Sequence, residues 1–173
     1  MFVGYVDRDG YGYTFDGKRI GRKLRDENSE PVMREGESII VKRCIEYDID
    51  ISGKIFGKEL LYKYEGVFYK TNQRLIGVRE PKAWEGVMRK GFELPTPVNV
   101  ADAWRTKEVA NAGGKEYFEL FLNEIIRCKK SWGVVFIDVP VKKGKKYRLR
   151  VIPPKDQRKS WSVLDDLLTS SRK

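Results

Sequence analysis

Cationic side chains are concentrated in one stretch of the sequence, between residues 129 and 159. This stretch carries eleven Lys and Arg residues against two acidic residues, which is +9 of the chain's net charge of +10. Cations at this density can neutralise a row of phosphates, because each neutralised phosphate releases a condensed counterion. The chemistry available to the stretch is therefore the binding of a polyanion. We predict that eight of these residues contact a phosphate backbone: Lys142, Lys143, Lys145, Lys146, Arg148, Arg150, Arg158 and Lys159.

A predicted β-hairpin positions most of these cations. Residues 134–141 are apolar enough for a buried strand, residues 142–146 form a cationic turn, and residues 147–151 alternate with the period of two that is typical of a strand. Pro140 cannot donate a ladder hydrogen bond, so we expect the first strand at a sheet edge or at a bulge. Lysines also protect edge strands from aggregation, and a solvated face is therefore the alternative to a phosphate-binding ridge.

Two tryptophans lie in or beside the cationic stretch and could stack on exposed bases. Trp132 precedes the first strand of the hairpin, and Trp161 follows the last cation of the stretch. We include Trp132 among the predicted nucleic-acid-binding residues. Its place between a predicted helix and a buried strand favours burial in the core, because tryptophan is highly buried on average in folded proteins.

Histidine is absent from the chain. This excludes imidazole general bases, nucleophile pairs that depend on histidine and nearly every zinc site with nitrogen ligands. Cys44 and Cys128 follow no metal-ligand spacing, so we expect no metal, no cofactor and two reduced thiols. The N-terminal residues lack the pattern of a signal peptide, and no run is apolar enough for a membrane span. We expect a cytoplasmic protein, with the nucleus as an alternative.

Acidic residues alternate with apolar ones in a further predicted strand. Three carboxylates share one face of it, about 6–7 Å apart along the strand: Glu46, Asp48 and Asp50. This spacing is too wide for neighbours to hold one metal ion, so we expect a solvated face or pairing with the chain's cations. A turn at residues 52–54 predicts a hairpin whose register puts Ile45 opposite Tyr62.

These elements predict an α+β fold with a mostly antiparallel, twisted sheet or a partly open β-barrel. Residues 115–130 carry a helical apolar stripe, with acids in the first turn and cations in the last, which predicts one long helix packed on the sheet. Residues 160–173 predict a short amphipathic C-terminal helix and a tail. We expect residues 1–159 to form a single β-rich domain.

Two short motifs in the middle of the chain could support covalent chemistry. They are Lys63-Tyr-Glu-Gly66 and the sequence Glu-Gly-Val-Met-Arg-Lys at residues 85–90. The first resembles the Lys-x-Asp-Gly nucleophile motif of DNA ligases, RNA ligases and capping enzymes, and the second is similar to a later motif of the same families. The resemblance implies that Lys63 takes AMP or GMP covalently, which a lysine of lowered pKa can do without histidine. The acidic motif expected between the two is missing from this chain.

The function that we predict is a non-catalytic nucleic-acid-binding protein, with RNA or single-stranded DNA ahead of duplex. No stretch is typical of a basic recognition helix for the major groove, and a β ridge suits strands whose bases can splay. One alternative is a protein-interaction or assembly subunit that docks on a protein partner or a second copy through its β surface and C-terminal helix. The other is the lysine-nucleophile nucleotidyltransferase. No membrane contact is expected. The docking residues of the assembly subunit would be Trp161, Leu164 and Leu168.

Overall fold

The computed structural model describes residues 2–14, 18–52, 65–79, 114–140, 146–158 and 160–168. These residues are mostly β-strand, and their strands pair in antiparallel fashion. The strands in the described part of the chain are β1 (Phe2–Val6), β2 (Tyr11–Thr14), β3 (Arg19–Lys23), β4 (Ile39–Ser52), β5 (Glu65–Thr71), β6 (Arg74–Arg79), β7 (Lys115–Phe121), β8 (Arg127–Ser131), β9 (Val134–Pro140) and β10 (Lys146–Ile152).

The prediction of an α+β fold with a long helix over residues 115–130 was wrong. The described residues contain no helix of seven residues or more, and their helical elements are two 3-10 turns, Leu122–Glu124 and Asp165–Leu167. The 115–130 segment forms β7, the first of these turns and β8. The second turn stands in place of the predicted C-terminal helix, and residues 169–173 lie outside the described part.

Burial on both faces explains why β7 is a strand. Tyr117, Phe118 and Leu120 are all buried, although Tyr117 points to the opposite side of the pleated strand from Phe118 and Leu120. An amphipathic helix would bury a single stripe. Aromatic residues also fit a pleated surface well, and here β7 pairs with β1 along its length. Glu119, which would have favoured a helix N-terminus, is buried in an ion pair with Arg22.

The chain divides into two compact units. The first comprises Ile39–Leu75 and Leu120–Lys173, and the second comprises Phe2–Ser38 and Ile76–Glu119. Strands of the first unit follow the order β5-β4-β10-β9-β8, and strands of the second follow the order β3-β2-β1-β7-β6. Residues 160–168 belong to the first unit.

The predicted basic hairpin of the first unit is formed by β9 and β10. Val135 lies opposite Val151 and Asp138 lies opposite Arg148. Strand β9 is not at an edge, because β8 pairs with its other side. Pro140 is tolerated there since the pairing with β8 ends at Asp138, two residues earlier.

One face of this sheet carries the apolar core of the first unit, and residues 160–168 add two buried side chains to it, Trp161 and Leu164. The predicted register of β4 was wrong: Ile45 lies opposite Gly66 instead of Tyr62. The turn on which that register rested, like the rest of residues 53–64, lies outside the described residues. The buried apolar strand residues on this face are Ile45, Tyr47, Phe68, Val135, Ile137, Val139, Leu149 and Val151, together with the buried Cys128.

The second unit has β1 at its centre, paired with β2 on one side and β7 on the other. Tyr5 and Val6 of β1 are buried with Leu24, which follows β3. The chain after β3 folds back on itself, with the Val32 amide donating to the Leu24 carbonyl at 2.9 Å. No helix in the described part of the chain is long and apolar enough to cross a bilayer.

Candidate nucleic-acid interface

A tight turn joins β8 to β9, and Trp132 lies at its tip. Trp132 and Gly133 both have positive φ, 51° and 75°, which is the geometry of the two central residues of a type I′ hairpin turn. This turn matches the right-handed twist of the flanking strands and usually contains Asn-Gly. A bulky side chain at positive φ is an uncommon occupant and costs about 1–2 kcal/mol of backbone strain.

The side chain of Trp132 is 96% exposed. The expectation that it is buried was therefore wrong. The reason is local: the residue belongs to a two-residue turn between two strands, whereas the sequence pattern suggested a junction between a helix and a strand. Trp132 therefore makes almost no hydrophobic contribution to the folded state, and its positive φ strains the backbone.

Arg158 packs against this turn. A Cβ placed on Gly133 would lie 2.7 Å from the Cβ of Arg158 and 3.2 Å from its carbonyl oxygen. The Arg158 Nε donates to the Pro153 carbonyl at 3.2 Å, which fixes the side chain where it meets the turn. Arg158, one of the predicted phosphate-binding cations, therefore lies directly beside Gly133, the residue that follows Trp132.

Strand β8 adds two exposed cations, Arg127 and Lys129, on the side opposite the buried Cys128. β8 is the last strand in the order of the first unit. Its third cation, Lys130, has a structural role: the ammonium donates to the Trp161 carbonyl and contacts Asp165 at 3.2 Å. We define the hairpin-tip surface as Trp132, Arg158 and the exposed face of β8, which carries Lys129 and, at the far end of the strand opposite Asp138, Arg127.

The cations of β10 are less available than the sequence suggested. Arg148 donates to both carboxylate oxygens of Asp138, at 2.7 and 3.2 Å, and Arg150 is only 6% exposed. β4 lies beside β10 and places Asp50 opposite Arg148 and Asp48 opposite Arg150. The acidic and basic strands predicted separately are thus neighbours in register, and the charges of β10 are in part balanced within the protein.

The other predicted cations are not described at the level of side chains. Lys146 is placed by its backbone, as the first residue of β10 opposite Pro140. Lys142, Lys143, Lys145 and Lys159 lie outside the described residues. So do Lys63 and residues 85–90, which carry the resemblance to ligases and capping enzymes.

The predicted docking residues of the C-terminal segment are turned into the first unit. Trp161 and Leu164 are buried and Leu168 is half-buried. Two lysines hold the segment in place: Lys130, as described above, and Lys70, which donates to the Val163 carbonyl at 2.8 Å and to Asp166 at 2.5 Å. Two of the three side chains therefore contribute to this chain's own core.

The two cysteines lie in the first unit and differ in exposure. Burial, together with the nearby charges of Asp166 and Asp165, raises the pKa of the Cys128 thiol to about 11, which keeps it protonated and unreactive. Cys44 is exposed. The described residues contain no group of three or more Cys, Asp and Glu side chains placed to hold a metal ion.

Comparison of the chain with protein-family models, with curated proteins and with solved structures finds no match to any of them. The case for function therefore rests on the hairpin-tip surface. Sequence reasoning missed Arg127 and Lys129, which it had assigned to a helix. The signal that could have found them is Trp132-Gly133, a dipeptide with glycine at the second central position of a two-residue turn, directly before an apolar run of strand-forming residues.

Proposed function

We propose that the protein is a non-catalytic nucleic-acid-binding protein that binds single-stranded RNA or DNA through the hairpin-tip surface. The observation that carries this proposal is Trp132, an almost fully exposed tryptophan in a strained turn. Base stacking on an exposed aromatic side chain contributes about 1–3 kcal/mol per base. A role in stacking accounts for a residue that the folded state does not need.

The surroundings of Trp132 favour an anionic ligand. Arg158 lies against the turn itself, and Lys129 and Arg127 are exposed on one face of β8, three and five residues before Trp132. Each contact between such a cation and a phosphate of a single strand contributes about −0.7 to the slope of log K against log salt. Three such contacts would give a slope of log K against log salt of about −2, and the cations of residues 142–146 would add to it.

A single strand suits the surface better than a duplex. The faces of bases in a duplex are covered by their neighbours, and a tryptophan at a hairpin tip can reach them only if the strand is open or is unstacked. The described residues provide no basic recognition helix for the major groove. Every base has a π face, so we expect little sequence preference.

Titration of the full chain with oligouridylate and oligothymidylate of about twelve nucleotides tests the proposal. Wild-type protein should bind with quenching of tryptophan fluorescence, and Trp132→Ala should weaken binding by about 10-fold or more while Trp132→Phe keeps most of it. Ile40→Ala, which truncates another exposed apolar residue of the first unit, is the matched control. Equal affinity of wild type and Trp132→Ala would remove the basis of the proposal.

An assembly subunit is the competing function, because exposed tryptophans are also typical of protein–protein hot spots. Burial of Trp161 and Leu164 removes most of the docking surface that was expected for it. The same variants separate the two functions: a wild type that binds neither oligonucleotide but changes its mass in light scattering when Trp132 is truncated would favour assembly. Incubation with labelled ATP or GTP, followed by denaturing electrophoresis, tests the lysine nucleophile.

A further inference from the structure

A second cluster of cations lies in the second unit, where β2 pairs with β3. The guanidinium of Arg19 lies 3.8 Å from the centre of the Tyr11 ring, and the ammonium of Lys23 lies 5.4 Å from the same centre. Both cations are exposed, and so is Lys18, which precedes the strand. The net charge of the sequence outside residues 129–159 is close to zero, so composition gives no sign of this cluster.

A β-bulge brings the two cations together. Lys23 lies opposite Tyr11 and Arg19 lies opposite Tyr13, so four steps along β3 are matched to two steps along β2. Gly21 lies in the middle of the additional residues with φ of +73°, and a Cβ there would meet no atom within 4 Å. Bulges redirect side chains in this way and are common where a strand serves a site. Here the bulge leaves an open backbone position between an Arg and a Lys.

Neighbouring charged groups are held in contacts of their own. Arg22 is directed to Glu119 and Arg25 donates to the Ser29 carbonyl at 2.7 Å. Asp7 accepts a hydrogen bond from the Tyr11 amide at 2.8 Å. Asp7 also accepts a hydrogen bond from Tyr13, which raises the pKa of that phenol. Asp9, in the turn before β2, is an exposed acid whose charge also acts on Tyr13, whereas the exposed charges of β3 itself are positive.

Stacking on Tyr11 holds the Arg19 guanidinium in an orientation that favours anion binding. A guanidinium held against an aromatic ring keeps its planar set of donors in one orientation, which lowers the entropy lost when it makes a bidentate contact with a phosphate. Gly21 has no side chain to keep the phosphate away from the backbone. Lys23 supplies a second charge at the other end of the bulge.

We propose that Arg19 and Lys23, on either side of Gly21, form a second binding site for the phosphodiester backbone of a nucleic acid, distinct from the hairpin-tip surface. The choice of nucleic acid as the ligand rests on the proposed function, whereas the site itself stands on the geometry of the bulge. It binds phosphate groups, and the Tyr11 ring, on which a base could otherwise stack, is covered by Arg19.

The test compares two double variants of the full chain that lose the same charges. Arg19→Gln with Lys23→Gln removes the site, and Arg34→Gln with Lys42→Gln removes one exposed Arg and one exposed Lys elsewhere. Affinity for fluorescent oligouridylate is measured by anisotropy over a KCl series. Loss of two phosphate contacts should lower the magnitude of the log–log slope by about 1.4 and weaken binding about 10-fold near 0.1 M salt. The control variant should keep the wild-type slope.

Two further measurements locate the effect. The amide resonance of Gly21 should shift when oligouridylate is added, and it should shift in Trp132→Ala as well. Arg19→Lys should keep the salt slope but bind several-fold more weakly, because it keeps the charge and loses the planar set of donors.

The outcomes distinguish this site from the proposed function. A wild-type slope in the Arg19/Lys23 variant, or an equal loss in the control variant, overturns the second site and leaves the role of Trp132 intact. A Gly21 resonance that does not move at saturating oligouridylate also overturns it. Failure of the wild-type protein to bind any oligonucleotide rejects both proposals.

Discussion

Arg148 donates to both carboxylate oxygens of Asp138, from Nε at 2.7 Å and from Nη2 at 3.2 Å. The Asp138 side chain is 10% exposed and the Arg148 side chain is 44% exposed, so the carboxylate is largely covered while the guanidinium still meets solvent. Paired bonds of this kind are among the stronger ones in proteins. A cation that the sequence marked as a phosphate ligand is therefore already partly engaged across the β9–β10 pair.

Asp138→Asn should change stability and nucleic-acid affinity in opposite directions. The variant loses a charged hydrogen bond to Arg148, which we expect to lower the free energy of unfolding by about 1–2 kcal/mol in urea titrations. It also releases the guanidinium, which should strengthen oligouridylate binding and steepen its salt slope by up to about 0.7. Asp156→Asn removes an exposed acid with the same change in charge. An equal gain in affinity from this control would show that only net charge matters.

Trp132→Asn should stabilise the protein while it weakens binding. Asn tolerates positive φ and is preferred at the first central position of a type I′ turn, so the free energy of unfolding should rise by about 1 kcal/mol. Urea denaturation followed by circular dichroism measures this change without relying on tryptophan fluorescence. A loss of stability would mean that the Trp132 side chain supports the fold, and the argument from its exposure would fail.

Gly133→Ala and Gly21→Ala should differ, although both residues have φ near +75°. Because each alanine must adopt a positive φ, each substitution lowers the free energy of unfolding by about 1 kcal/mol. At Gly133 the new Cβ would also meet Arg158 at 2.7 Å, whereas at Gly21 it would meet nothing within 4 Å. We expect thermal unfolding to show a loss of about 2–4 kcal/mol for Gly133→Ala and about 1 kcal/mol for Gly21→Ala. Equal losses would show that Arg158 can move away from the turn.

Stability should fall at alkaline pH through Cys128. Burial raises the pKa of this thiol from 9.0 to about 11, so the unfolded chain loses the proton at a lower pH than the folded one. The stabilisation is complete below the unfolded pKa and is lost as pH rises toward the folded pKa. From about pH 8 to about pH 10, wild type should lose about 1 kcal/mol more than Cys128→Ala in parallel urea titrations. Parallel pH profiles for the two proteins would contradict the raised pKa.

The sequence was a sound guide to elements with a clear period of two. Strands β9 and β10 lie where alternation and the cationic turn predicted them, because one apolar face suffices to set their pairing. It failed at β7, where apolar residues on both faces satisfied a helical stripe as well as a strand. Pairing with β1 decided between the two, and no local pattern in residues 115–121 reports that partner.

The wrong helix prediction for residues 115–130 also explains why the hairpin-tip surface was missed. Once residues 115–130 were taken as a helix, Trp132 became a junction residue, and the cations of β8 became the end of that helix. Strand β10 lies where it was predicted, but the acidic strand that pairs with it is β4, about a hundred residues earlier in the chain. Charge balance across paired strands is a property of the topology, and composition along the chain does not contain it.

The position of residues 160–168 near the C-terminal end of the sequence affects how the first unit folds during synthesis. Strands β4, β5, β8, β9 and β10 leave the ribosome before Trp161 and Leu164, the two side chains that complete their core. Until those residues emerge, the nascent sheet presents an unfinished apolar face to the cell, which is the kind of surface that chaperones recognise. A chain that stopped short of residue 160 would accordingly keep this apolar face exposed.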